Sequence, residues 1–321
     1  MSERKLIVVL PNLAEAHRGR IDAAARARGF DALFFENAQD TLPALAGAEI
    51  AFGQSAALAQ NAPRLRWLCT PSAGVDQFTP PGTFLSPDAA LSNSSGAYGV
   101  TISEHIVMVT LQLMRRQTEY AELLRDRVWR RDLPIRSIRD CRALLLGTGD
   151  IGRETARRLR AFGPARLAGM NRSGRNPDGL FDRIVTRDGL DALLPETDLL
   201  ILSLPGTAEA ARVLDARRLA LLPDGAIVVN VGRGGAIDQA ALEAELRAGR
   251  LFAALDVFEQ EPLPQDDPLW TCPNLLITSH TAGNMTLPYT VKRIVDMFLE
   301  DFDNYCEGRP LAHRVDLKRG Y

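Results

Sequence analysis

Cysteine is scarce in this chain: four residues, at positions 69, 141, 272 and 306, with neither a Cys-x-x-Cys pair nor the spacing of metal ligands. A disulfide scaffold and a metal centre are therefore not expected, and the thiols read as reduced, mostly buried groups of a cytoplasmic protein. Long apolar runs are also missing. No stretch approaches the roughly 18 residues that a membrane span needs, and the first apolar strand is reached by Leu6 without a signal-peptide pattern. Neither sign of charge dominates, since 38 basic and 40 acidic residues give a net charge of −2 and a pI near 6.1. That balance gives no electrostatic case for nucleic acid or an anionic membrane surface as partner. Repeats and low-complexity tracts are absent too. What is present is an ordinary globular composition in 321 residues, longer than one hydrophobic core usually serves, so two domains are expected.

The most informative stretch runs from Ala143 to Gly152. A short apolar run stops at Gly147-Thr148-Gly149-Asp150-Ile151-Gly152 and hands over to a helical pattern in which Ile151, Ala156, Leu159 and Phe162 form one apolar stripe. In such a Gly-x-Gly-x-x-Gly turn the first glycine permits the bend, the second lets a pyrophosphate approach the backbone, and the third lets the helix pack on the strand. A second strand over 166–170 completes a βαβ unit, and dinucleotide binding is the favoured reading.

Along the rest of the chain, buried strands are expected at 5–10, 48–52 and 65–69, with a helix over 20–28. The loop Ser92–Gly99 marks a domain junction before a long helix over 101–125, where His105 reads as an ordinary helical histidine. Strands at 198–204, 226–231, 252–257 and 274–278 alternate with helices at 215–222 and 238–248, the pattern of a doubly wound parallel sheet. A last helix over 287–307 has no following strand and is expected to pack back onto the first domain.

Three of those strands end in chemically pointed loops. Val231 leads into Gly232-Arg233-Gly234-Gly235, Val257 into a loop holding Glu261-Pro262, and Thr278 into Ser279-His280. Open α/β sheets bind ligands beyond the carboxyl ends of their strands, so one arginine, one carboxylate and one imidazole meet the dinucleotide edge. An arginine can hold a carboxylate with a two-pronged pair of hydrogen bonds, and a histidine can exchange the proton that accompanies hydride transfer. Thr70–Asp76 likewise follows a strand, and its small residues can offer backbone N–H groups to an anion.

Taken together, Gly147–Gly152, Asn230-Val-Gly-Arg-Gly-Gly235, Leu255-Asp-Val-Phe-Glu-Gln-Glu-Pro262 and Ser279-His-Thr-Ala-Gly283 closely resemble the D-isomer-specific 2-hydroxyacid dehydrogenase family, in order and spacing from about residue 65 onward. The resemblance implies two doubly wound parallel-sheet domains separated by a cleft. One is a Rossmann domain over 98–287 and the other a flavodoxin-like substrate domain formed by 1–97 and 288–321. It also implies a homodimer joined through the nucleotide domain. By the same resemblance, Arg233, Glu261 and His280 are catalytic. Ser72, Ala73, Gly74 and Val75 bind substrate together with Arg233 and His280. Gly147–Gly152, Asn171, Arg172, Ser173, Arg175, Leu204, Pro205, Val231, Gly232, Asp256 and Gly283 hold the cofactor. The implied reaction interconverts a small 2-keto acid, glyoxylate- or hydroxypyruvate-like, and a D-2-hydroxy acid, with His280 as acid/base. A dinucleotide-sensing regulator and a formate dehydrogenase are the alternatives on the same fold.

One departure bears on the cofactor. An acid that binds the ribose 2′-hydroxyl is expected about 20 residues beyond the glycines, but that place holds Asn171, and no acid stands between Met170 and Asn176. Arg172, Ser173 and Arg175 offer positive charge and a hydroxyl instead, so NADP is expected in preference to NAD, with NAD still accepted.

Overall fold

Strands that are apolar on both faces need cover on both sides, and the chain provides it in two parallel α/β sheets. The computed structural model describes residues 4–320. They divide into two compact units: those up to Tyr98 together with those from Met285 onward, and Gly99–Asn284.

In chain order the first stretch gives β1 (Arg4–Val9), α1 (Glu15–Ala27), β2 (Phe30–Phe35), α2 (Leu42–Leu45), β3 (Ala48–Gly53), α3 (Ala57–Gln60), β4 (Trp67–Cys69) and β5 (Ala90–Ser92). The middle of the chain gives α4 (Gly99–Met114), α5 (Gln117–Arg125), β6 (Arg142–Leu146), α6 (Asp150–Arg160), β7 (Arg166–Met170), β8 (Arg183–Val185), β9 (Leu199–Leu202), α7 (Ala216–Leu221), β10 (Ile227–Asn230), α8 (Gln239–Arg247), β11 (Phe252–Leu255) and β12 (Leu275–Ile277), and α9 (Pro288–Cys306) follows.

The first unit orders its strands β2-β1-β3-β4-β5, the flavodoxin-like arrangement, and α9 belongs to it. Phe298 on α9 stacks on Phe52 at 4.2 Å and on Trp67 at 5.4 Å, which buries one face of the helix against β3 and β4. The second unit orders its strands β12-β11-β10-β9-β6-β7-β8, a Rossmann sheet extended by one strand, whose order reverses between β6 and β9. Its core includes Leu144, Leu146, Leu200, Leu202, Val228 and Leu255, contributed by four neighbouring strands. That packing fixes the carboxyl ends of the strands in one row.

Three strands and one break were not anticipated. β2, β5 and β8 flank their sheets' better marked strands, and β5 and β8 are three residues each, Ala-Leu-Ser and Arg-Ile-Val, too short for a pattern. The expected single helix over 101–125 is instead α4 and α5, parted at Arg116, which adopts a left-handed φ of 56° without a glycine or proline to announce it. α1 begins at Glu15, ahead of the expected start at residue 20. On α6 the buried face is Gly152, Thr155, Ala156 and Leu159, while Phe162 lies past the helix end and is exposed.

Candidate functional site

The loop between β6 and α6 shows why its glycines stand where they do. Gly147 has a φ of +100°, and a Cβ on Gly152 would fall 2.1 Å from the Gly147 carbonyl oxygen, so neither position accepts a side chain without moving the turn. Gly149 differs. No protein atom lies within 4 Å of the Cβ it lacks, and it is the residue that precedes α6. The open volume lies where amide N–H groups of the helix start are presented to an anion, so the residues present fit a dinucleotide's diphosphate.

The expected ribose end of the site is a small closed loop. Asn171 Nδ2 donates to Thr148 Oγ1 at 2.8 Å and to the Arg175 carbonyl at 2.9 Å, which ties the loop after β7 to the glycine turn. Ser173 Oγ accepts from Arg175 N at 3.3 Å. Arg172 and Arg175 are exposed, and the nearby acid Asp178 is paired with Arg153 at 2.7 Å. The loop therefore presents positive charge.

On the other side of the switch point, the loops after β10 and β11 are pressed backbone to backbone. A Cβ on Gly234 would lie 1.9 Å from the Phe258 carbonyl carbon, so glycine at 234 is what lets the Arg233 loop and the Phe258–Glu261 loop close together. Arg233 is half-buried, with Nη1 donating to the Gly232 carbonyl at 2.8 Å. Glu261 uses both oxygens: Oε1 accepts from Phe258 N at 3.0 Å, and Oε2 lies 2.6 Å from His280 Nδ1. His280 keeps its side chain about half exposed, at 53%. With one ring nitrogen on a carboxylate, its Nε2 is the nitrogen left for other chemistry.

Asp256, placed by sequence among the cofactor-binding residues, faces inward. It is 2% exposed, and its carboxylate accepts from Thr278 Oγ1 at 2.6 Å, Thr281 N at 2.9 Å and Ala282 N at 3.1 Å. Its carbonyl accepts from His280 N at 2.9 Å. The remaining cofactor candidates cap their strands: Leu204 and the exposed Pro205 after β9, the buried Val231 and Gly232 after β10, and Gly283 beyond His280. Among the described residues no group of three or more His, Cys, Asp or Glu side chains is arranged to hold a metal ion.

In the first unit, Ser72–Val75 follows β4 and is shaped by its own carbonyls. Pro71 O accepts from Tyr98 Oη at 2.7 Å, Ser72 O from Ser94 N at 3.0 Å, Ala73 O from Asn93 Nδ2 at 2.7 Å, and Gly74 O from Ser72 Oγ at 2.7 Å. Four successive carbonyls are thus committed to protein donors.

With this geometry in view, comparison with known proteins is decisive. Residues 107–282, more than half of the chain, match the family described as D-isomer specific 2-hydroxyacid dehydrogenase, NAD binding domain. The chain belongs to the D-isomer-specific 2-hydroxyacid dehydrogenase family. It is similar to the glyoxylate/hydroxypyruvate reductase A of Salmonella newport, 35% identical over 225 residues that make up 70% of each chain. Among solved structures it is similar to a D-isomer-specific 2-hydroxyacid dehydrogenase family protein from Aeromonas salmonicida, with 33% identity, a TM-score of 0.87 and coverage of 98% of this chain and all of that one. An NADPH-dependent glyoxylate/hydroxypyruvate reductase from Sinorhizobium meliloti, solved with NADP and sulfate, gives 28% identity and a TM-score of 0.82 over 99% of this chain and all of that one.

As a 2-hydroxyacid dehydrogenase family member the chain is an NAD(P)-dependent oxidoreductase, with its nucleotide domain in the matched span. The thiols stay outside this chemistry: burial pushes Cys69 up to about 12 and Cys141 up to about 11, which leaves both protonated and inert. One connection escaped the sequence. His105 on α4, read there as an ordinary helical histidine, has Nε2 3.3 Å from Thr278 Oγ1, the hydroxyl that donates to Asp256. Only the tertiary fold brings residue 105 to 278, and no spacing signal could have found it.

Proposed function

We propose that this 2-hydroxyacid dehydrogenase family member reduces small 2-keto acids, of the glyoxylate and hydroxypyruvate class, to D-2-hydroxy acids. The observation that carries the reading is the 2.6 Å contact between His280 Nδ1 and Glu261 Oε2, in loops that close beside that of Arg233. When bound, a nicotinamide cofactor supplies the hydride that the keto carbon accepts. Arg233 holds the substrate carboxylate, His280 gives the proton from Nε2 to the keto oxygen, and Glu261 holds Nδ1 and stabilises the imidazolium. Gly147–Gly152 takes the diphosphate, and Arg172, Ser173 and Arg175 take the ribose end, where their charge favours a 2′-phosphate and hence NADP. In the first unit, which we assign as the substrate domain, the Gly74 and Val75 N–H groups are suited to a carboxylate.

The test is a steady-state panel of glyoxylate, hydroxypyruvate, pyruvate and formate with each cofactor. Reduction of a 2-keto acid with higher kcat/KM for NADPH than for NADH supports the reading. Tight cofactor binding without turnover makes the chain a regulator, and formate oxidation makes it a formate dehydrogenase.

We further propose a homodimer through the nucleotide domain. None of the residues of α5 is buried, and Leu124, Val128, Trp129 and Ile135 are exposed around it, Trp129 by 83%. A clustered apolar surface of this kind is usually covered by a partner. Sedimentation velocity should give about twice the mass of one 35.2 kDa chain, and Trp129→Glu should shift it to the monomer. A monomeric wild type overturns the proposal.

A further inference from the structure

The loop that presents His280 is strained. His280 has a φ of 54°, a left-handed conformation that a side chain with a Cβ adopts only under constraint. Something must hold it, and Asp256 is what does so: its carbonyl takes the His280 amide and its buried carboxylate takes the next two amides, Thr281 N and Ala282 N. The same carboxylate accepts the Thr278 hydroxyl at 2.6 Å, so that hydroxyl's one hydrogen is committed to Asp256. The Thr278 oxygen can then only accept from His105 Nε2, 3.3 Å away, and this assigns His105 the tautomer with its proton on Nε2. A chain of donors results, from His105 to Thr278 to Asp256, and the Thr281 and Ala282 amides just after His280 donate to the same carboxylate.

We propose that His105 is a positioning residue which, through Thr278 and Asp256, holds the His280 loop in its left-handed conformation. The proposal rests on the functional reading above only for its consequence in turnover. Burial outweighs the one charged group that faces the ring. Asp256 faces His105 across the threonine, whereas the adjacent Glu104 is turned to Arg158 at 3.6 Å. Burial draws the His105 pKa below its ordinary value, against the pull of Asp256, so the ring is uncharged at neutral pH and donates as neutral imidazole.

Three variants separate this role from mere packing. His105→Leu fills the space but removes the donor, His105→Gln keeps an amide N–H at about the reach of Nε2, and Thr278→Val removes the relay without changing its shape. Hydrogen exchange of the amides at 279–282 is the direct readout, and it needs neither substrate nor cofactor. Exchange there should quicken by about tenfold or more in His105→Leu and Thr278→Val, and stay near wild type in His105→Gln, with β11 unchanged. The double variant should be no worse than Thr278→Val alone, because the chain acts as one unit. In turnover, kcat should fall about three- to tenfold in His105→Leu while KM for the keto acid changes less than about twofold, and Gln should restore it. Wild-type exchange at 279–282 in His105→Leu overturns the proposal, and so does equal loosening in the Leu and Gln variants. If the wild-type protein reduces no 2-keto acid, the functional reading falls, and the exchange experiment still judges the chain by itself.

Discussion

At the scale of single residues, the proposed site separates groups by what they can do rather than by charge alone. Arg233 differs from a generic cation in its planar fork, which can grip a carboxylate with two parallel hydrogen bonds and fix its orientation. Arg233→Lys keeps the charge and loses the fork. The variant should lower kcat/KM for a 2-keto acid by one to two powers of ten, matching roughly 1.5–3 kcal/mol for a hydrogen bond to a charged group. Efficiency within a factor of two of wild type would remove Arg233 from substrate orientation. The places of these residues in the fold were legible. Arg233, Glu261 and His280 each stand just beyond a strand of one sheet, and the structure brings Glu261 and His280, 19 positions apart, into direct contact. Asp256 was legible as present but not as to direction: a buried acid bonded to two loop amides looks, in one dimension, like any acid at a strand end.

At the scale of elements, the glycine turn divides two tasks that the motif string runs together. Gly152 serves packing, because its missing Cβ would meet the Gly147 carbonyl at 2.1 Å, while Gly149 has open space where the diphosphate is expected. Gly152→Ala should therefore destabilise by about 1–3 kcal/mol as an overpacked contact, whether or not cofactor is present. Gly149→Ser should leave the melting temperature of the free protein near wild type, since serine is a good residue at the start of a helix, yet weaken NADPH binding at least about tenfold. Thermal unfolding and calorimetric titration on the two variants decide it, and a stable Gly152→Ala variant or unimpaired binding by Gly149→Ser would contradict the division. β6, α6 and β7 were readable because a buried apolar run, a glycine spacing and an amphipathic stripe all agree there. β5 and β8 were not, because three residues carry no period and each is a strand only through its pairing with β4 or β7. The break before α5 depends on one left-handed arginine, which no residue preference marks.

At the scale of the whole chain, the two units carry histidines shifted in opposite directions, so pH should act on them with opposite signs. His313, in the first unit, sits 3.4 Å from the buried Asp301 carboxylate, which also accepts from Ala312 N at 2.6 Å and so holds the tail after α9. His313 Nδ1 faces Asp301 Oδ1 at that distance, and the protonated ring forms an ion pair with the carboxylate. Asp301, helped by Glu300 and opposed by burial and Arg293, raises the His313 pKa above its ordinary value. A raised folded-state pKa contributes stability that is fully present below the unfolded value, about 6.5, and is lost as pH rises through the folded value. His105, in the second unit, is lowered by burial, so its contribution is full above about 6.5 and is lost as pH falls through its depressed value. Trp67 offers a local probe of the first unit. It is fully buried there, whereas Trp270 of the second unit is exposed and changes less on unfolding, and Trp129, which the proposed dimer would cover, is replaced by phenylalanine for the measurement. The urea midpoint followed by Trp67 emission should fall as pH is raised from about 6 to about 8.5, and His313→Gln should flatten that dependence while leaving the slope with urea unchanged. A wild-type midpoint that holds constant over this range, or a His313→Gln variant that falls in parallel with it, would show that the Asp301 pair does not hold the C-terminal tail in place.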